Sequence, residues 1–215
     1  MTHVHQEHDD FAVEPVLGLP ETPPEGEKIL WQGVPSWWAL SRDALNLYWV
    51  AGYFVALAVW RGLVLADRGG LAMGFKATVP YLLMGLVACL ILMGIAWCLA
   101  KTTVYTITNK RVAMRIGAAL TVTLNVPFTM LASADLTKRR DGTGSIVMDL
   151  LGDTRLSYLI CWPHVRPWKM APTQPALRCL PDVSKVAQIL SEAAEKRIQE
   201  RSETVEVRAA AMPAE

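Results

Sequence analysis

Before Lys28 the chain carries no lysine or arginine, only the acids Glu7, Asp9, Asp10, Glu14, Glu21, Glu25 and Glu27. A secretory signal needs a basic start and an early apolar run, so this opening is not one. The sequence also lacks GxSxG, HExxH, a Walker loop and GxGxxG, and no acidic pair sits where its pKa would shift. The expectation is therefore a protein that is not an enzyme. Cys89, Cys98, Cys161 and Cys179 form no CxxC pair and no disulfide-like framework, which excludes a zinc ribbon or redox motif and fits a reduced, cytoplasm-facing soluble part. A formal charge of +1 leaves no basic excess for general nucleic-acid binding. Phenylalanine is scarce, four against eight tryptophans, and five of those tryptophans (Trp37, Trp38, Trp49, Trp60 and Trp97) lie in or beside apolar segments. Rings gathered in this way anchor at membrane interfaces.

The chain is 52% hydrophobic, and its most apolar stretch, residues 79–100 (VPYLLMGLVACLILMGIAWCLA), is free of charge. As a helix it would reach ~33 Å at 1.5 Å per residue, close to the ~30 Å hydrocarbon core of a bilayer. Residues 44–65 form a second span whose one difficulty is Arg61. Four residues from Leu65, its stem is expected to snorkel to the headgroups. Asp67, Arg68, Gly69 and Gly70 make a polar turn, with re-entry by Pro80, so the two spans form a transmembrane helical hairpin. Lys28, Arg42, Lys101, Lys110, Arg111 and Arg115 lie outside the hairpin, against Arg68 and Lys76 in the connector and Arg61 just before it. This bias predicts a multi-pass protein of the bacterial inner membrane, with both termini and the soluble domain in the cytoplasm. Small residues four apart (Gly52 and Ala56, Ala58 and Gly62, Gly85 and Cys89, Gly94 and Cys98) permit close helix association and leave a homodimer open.

The remaining chain divides around that hairpin. Residues 1–24 read as a disordered acidic lead, spotted with proline, in which His3, His5 and His8 have no fixed geometry for a metal. Residues 25–43 form a pre-membrane segment associated with the soluble domain, where Ser41 could cap the next helix. After Lys101 the period falls to two: strands through Val104–Ile107, Val112–Ile116 and Leu120–Val126, a turn at Asn109-Lys110, and a break at Pro127. Further strands flank Asp141-Gly142-Thr143-Gly144, and Gly152-Asp153 turns into another through Leu156, Tyr158 and Ile160. An amphipathic helix runs from Ser184 to about Arg201, with Val183, Val186, Leu190 and Ala194 in one stripe, and residues 202–215 are a flexible tail. Residues 102–201 are thus one domain, an antiparallel sheet or partial barrel capped by a C-terminal helix.

The succession EGEKILWQG, helical hairpin, YTITNKRVAMRIG resembles bacterial membrane proteins with a pleckstrin-homology-like domain. Within them, WPHVRPW followed by QPALR is similar to the photosynthetic-complex assembly proteins of purple bacteria, the PuhB type, encoded beside the reaction-centre H subunit gene. The resemblance covers roughly residues 25–195. It implies an α+β pleckstrin-homology-like domain and a non-enzymatic role in reaction-centre assembly, with reaction-centre and light-harvesting 1 subunits as partners. The alternative function is a generic lipid-contacting or structural membrane protein without photosynthetic partners. All four histidines, at 3, 5, 8 and 164, lie outside the spans, which disfavours an antenna subunit that holds chlorophyll through imidazole. No cofactor is assigned, and transient bacteriochlorophyll contact stays open.

Two groups of residues are candidate sites. Trp162, His164, Arg166, Trp168 and Arg178 lie in or beside a stretch stiffened by Pro163, Pro167, Pro172 and Pro175. Trp and Arg concentrate binding energy, so these five read as protein-interaction anchors; the alternative is that the tryptophans cap the sheet and Arg166 pairs locally. Trp37, Trp38 and the basic run Lys138, Arg139 and Arg140 read as membrane-lipid contacts, or for the run as a solvated hairpin tip.

Overall fold

The computed structural model describes residues 16–117, 121–152 and 156–210, with side chains to residue 203. His3, His5, His8, Leu120, Asp153 and the last five residues lie outside that range.

Two long helices, α2 (Leu47–Gly69) and α3 (Leu71–Thr102), form the hairpin. Both are long and apolar enough to cross a membrane, and their most apolar windows are only 11% buried within the protein. The connector is shorter than the sequence implied. Gly70, at φ +82° and ψ 171°, takes a positive-φ extended conformation open to glycine, and this turns one helix into the next. Pro80 lies inside α3 rather than at its start, and Lys76 is helical too. Small residues form the seam. A Cβ on Gly74 would come within 2.6 Å of the Gly62 carbonyl, and one on Gly85 within 2.7 Å of Phe54. Gly62 faces Thr78 and Gly74 in the same way, so the adjacent Arg61 lies level with the first turns of α3.

Seven antiparallel strands build the domain in two sheets among the described residues, ordered β1-β2-β3-β4 and β5-β6-β7. The first holds β1 (Ile29–Gly33), β2 (Val104–Thr108), β3 (Arg111–Ile116) and β4 (Val122–Pro127); the second holds β5 (Leu131–Lys138), β6 (Gly144–Leu150) and β7 (Ala176–Leu180). A 3-10 turn, Phe128–Met130, joins them. Alternate residues of both sheets (Tyr105, Ile107, Met114, Ile146, Met148) meet α5 (Val183–Ala210), which covers the core with Val183, Val186, Leu190 and Ala193. Burying such a side chain contributes ~1.5–3 kcal/mol, so this stripe fixes the helix on the sheets.

Several expectations are corrected. The lead is not disordered as far as residue 24: Leu19 is buried, and a turn at Gly18 (φ +78°) packs on Val104. Gln32 Nε2 donates both to the Leu17 carbonyl (2.6 Å) and to Thr106 Oγ1 (2.9 Å). These additions cover the second face of β2, which is buried along its whole length rather than half-buried. Ser41 caps nothing. It lies inside α1 (Trp37–Asp43), whose N-cap is Ser36, and donates to the Trp38 carbonyl. Residues 158–161 form a short helix, α4 (Tyr158–Cys161), not a strand. The seventh strand is Ala176–Leu180, and α5 continues past Arg201 to Ala210.

The two stretches EGEK and TNKR fold into one clamp. Asn109 Oδ1 accepts from Lys28 N (2.9 Å), its Nδ2 donates to the Gly26 carbonyl (3.0 Å), and its own N–H donates to the Lys28 carbonyl (3.1 Å). Thr108 Oγ1 accepts from the backbone N–H groups of Lys110 and Arg111, while Arg111 pairs with the buried Glu27 carboxylate at 2.9 Å. TNKR is thus a structural turn that holds β1 against β2. Asn109→Ala removes the two side-chain hydrogen bonds and should cost about 1–3 kcal/mol, read as a lower denaturation midpoint of the detergent-solubilised protein.

Candidate functional site at the hairpin exit

Where α3 ends, Thr103 and Tyr105 point to the same side because strand residues alternate. They meet His164, which is only 1% exposed. Thr103 Oγ1 lies 3.1 Å from His164 Nε2, and Tyr105 Oη lies 2.5 Å from Nδ1. The backbone N–H of Arg178 donates to Tyr105 Oη at 3.2 Å. A neutral imidazole donates through one ring nitrogen and accepts through the other, so the two hydroxyls hold it from both sides. Burial, and then the charge of Arg178, push the His164 pKa down to about 3, so the ring is neutral; burial raises Tyr105.

Arg178 is the second tie. The residue is 8% exposed, and its guanidinium donates to the Pro163 carbonyl (3.3 Å) and the Asp43 carbonyl (3.1 Å). It therefore joins β7, the proline-rich loop and the end of α1. Ser36 N–H also donates to the Cys179 carbonyl, and Ala39 and Leu40 of α1 pack with Ala96 and Ala100 of α3. His164 and Arg178 are thus not surface anchors, as the sequence suggested, but buried pins. A buried, fully bonded polar group costs far less than an unpaired one, and so holds a single geometry.

Above these pins the loop closes on itself. Arg166 N–H donates to the Gln174 carbonyl, Ala176 N–H to the His164 carbonyl, and Gln174 Nε2 to Asp149 Oδ1 at 2.7 Å. Arg166 reaches Gln174 Oε1 at 3.1 Å and Asp135 at 3.7 Å, which is the local pairing foreseen as its alternative. The tryptophans do not cap the core: Trp168 is 89% exposed and Trp162 43%. Trp168 N–H donates to Tyr158 Oη, tying the loop to α4, whose Leu159 and Ile160 are also exposed. Leu159, Ile160, Trp162, Trp168 and Met170 thus stand exposed on α4 and the loop after it, an apolar platform above the buried pins.

The remaining candidates separate. Trp37 and Trp38 stack edge to face (5.9 Å) on α1, partly exposed beside the end of α3. Arg139 is not free for lipid: Asp43 holds its Nε at 2.7 Å and that of Arg42 at 2.8 Å. Asp141 accepts from Thr143 and Arg42, which hold its carboxyl down to about 2. Lys138 and Arg140 project without a charged partner among the described residues. Sequence reading missed Thr103, Tyr105, Asp43 and Gln174. Tyr105 was visible only as one strand residue among several, and β7 only as five residues between Pro175 and Pro181.

The depressed His164 pKa has a stability consequence. Unfolded histidine takes a proton near pH 6.5 and the buried ring only near 3, so stability falls as pH drops through that interval and levels off below it. At pH 5 the expected loss is about 2 kcal/mol relative to pH 8. Melting curves of wild type should show this fall, and those of His164→Gln a distinctly shallower one.

A family model described as bacterial PH domain matches residues 46–194, from the start of the hairpin into α5. An uncharacterised 23.7 kDa protein in the puhA 5′ region of Rhodobacter capsulatus is 44% identical over 193 residues, covering 89% of this chain and 90% of that one. No solved structure matches. The chain belongs to the bacterial PH domain family.

Proposed function

We propose that this protein is a membrane-anchored assembly factor of the PuhB type for the photosynthetic reaction centre and its light-harvesting ring. It acts by binding reaction-centre and light-harvesting 1 subunits, not by catalysis. The observation that carries this reading is the exposed Trp162–Trp168 platform on its buried root at the hairpin exit. Tryptophan on a preorganised surface binds protein with little ordering cost. A relative in the puhA 5′ region, a photosynthesis gene region, supports the partner class.

In this reading α2 and α3 cross the inner membrane and the domain faces the cytoplasm. Arg61 and Lys76 then reach the far headgroups together, because Gly62 packs between Thr78 and Gly74. Trp37 and Trp38 meet the near interface, with Lys138 and Arg140 above it.

A strain lacking the protein should keep its pigments but accumulate less reaction centre, and tagged protein should co-purify with reaction-centre or antenna subunits. The double variant Trp162→Ala/Trp168→Ala should insert normally yet lose roughly 30-fold or more in affinity for those subunits. Normal reaction-centre levels in the deletion strain would refute the reading, and recovery of lipid alone would favour the lipid-contacting alternative.

A further inference from the structure

Among the described residues β5 (Leu131–Lys138) is an edge strand, and its residues from Ala132 to Lys138 are all exposed. Its pairing with β6 shows which backbone groups are free. Arg139 N–H donates to the Thr143 carbonyl, which closes the hairpin with a hydrogen-bonded pair. By antiparallel alternation Thr137 and Asp135 then bond to β6, while Ala134, Leu136 and Lys138 turn their N–H and C=O groups outward. Met148, opposite Ala134, accordingly donates to the Pro175 carbonyl on the other side of β6. Two of the residues with free backbone groups, Ala134 and Leu136, also line a mainly apolar groove of about 400 Å³, with Ile146 of β6 and Ala187, Leu190, Ser191 and Ala194 of α5. A strand laid ~4.8 Å beside β5 would meet these groups and drop alternate side chains into the groove.

We propose that the β5 edge and its groove against α5 bind an extended segment of a partner protein by strand addition. That segment has small or apolar residues at every second position and an acidic residue at the end nearest the membrane. The acid answers Lys138 and Arg140, two exposed cations at that end of the strand. The charge also fixes where the segment ends, since both lie beside the α1 network of Asp43 and Arg139.

A second copy of this chain does not fit, an argument that rests on the membrane reading above. β5 runs from the end remote from the hairpin, where Phe128 bonds to Lys110 and Leu151 to Met130, to the end beside Asp43. An antiparallel β5–β5 pair would point the two hairpins in opposite directions. A parallel pair about a two-fold sets identical residues level, whereas a parallel ladder needs them staggered.

The test uses the full chain in lipid nanodiscs and a phage-displayed library of random dodecapeptides. Enriched peptides should share apolar or small residues at every second position and Asp or Glu near one end. A fluorescent copy of one should lose about tenfold or more in affinity on Ala134→Pro, which removes an outward N–H and leaves the β6 ladder intact. Ser191→Trp, which fills the groove from the exposed face of α5, should do the same with an unchanged melting curve. Lys138→Glu should shift the selected end charge toward Lys or Arg. Peptides without alternation, or binding indifferent to both Ala134→Pro and Ser191→Trp, would overturn the proposal. So would crosslinks from a photoreactive residue at 136 to a second copy or to residues 1–15. Such a result leaves the assembly role standing if tagged protein still recovers photosynthetic subunits.

Discussion

A neutral imidazole held between Thr103 and Tyr105, with Arg178 bonded to the same phenol, decides how the domain sits on its hairpin. Thr103 directly follows the last residue of α3, so the contact transmits the position of that helix to the loop. Arg178 adds the end of α1 through the Asp43 carbonyl. Without these bonds the proline-rich loop would be connected to the hairpin only through the sheet. With them, platform, α1 and hairpin exit form one block.

Much of the remaining structure makes this block affordable. The core under α5 is an ordinary apolar interior and supplies stability. The polar pins supply direction instead: each buried donor finds an acceptor only in this arrangement. The family match begins at residue 46, yet β1 and α1 lie before it and complete both the first sheet and the hairpin exit. The N-terminal segment is thus integral to the domain, held by Asn109 and by Leu19 under its turn.

The hairpin, the period-two strands and the C-terminal helix were legible because they rest on local patterning: long apolar runs, alternation and an amphipathic stripe. Their limits were less so. Gly70 alone sufficed as a connector, and α5 outlasts its apolar stripe because its exposed turns contain good helix formers. The five candidates of the loop read as one group in sequence, and the structure divides them by burial. Trp162 and Trp168 face outward, while His164 and Arg178 face inward. Nothing local separates them, because their partners Thr103, Tyr105 and Asp43 are 59 to 135 residues away in sequence. The free edge of β5 was invisible for the same reason: an edge is defined by which strand fails to arrive.

The central claim is that the platform is rigidly fixed to the end of α3. Nitroxides on unnatural side chains at positions 101 and 169, which avoid the four native cysteines, measure this by double electron–electron resonance in nanodiscs. A single narrow distance distribution, broadening in Tyr105→Phe, is the predicted result. A broad distribution in the wild-type protein, unchanged by that substitution, would contradict the account.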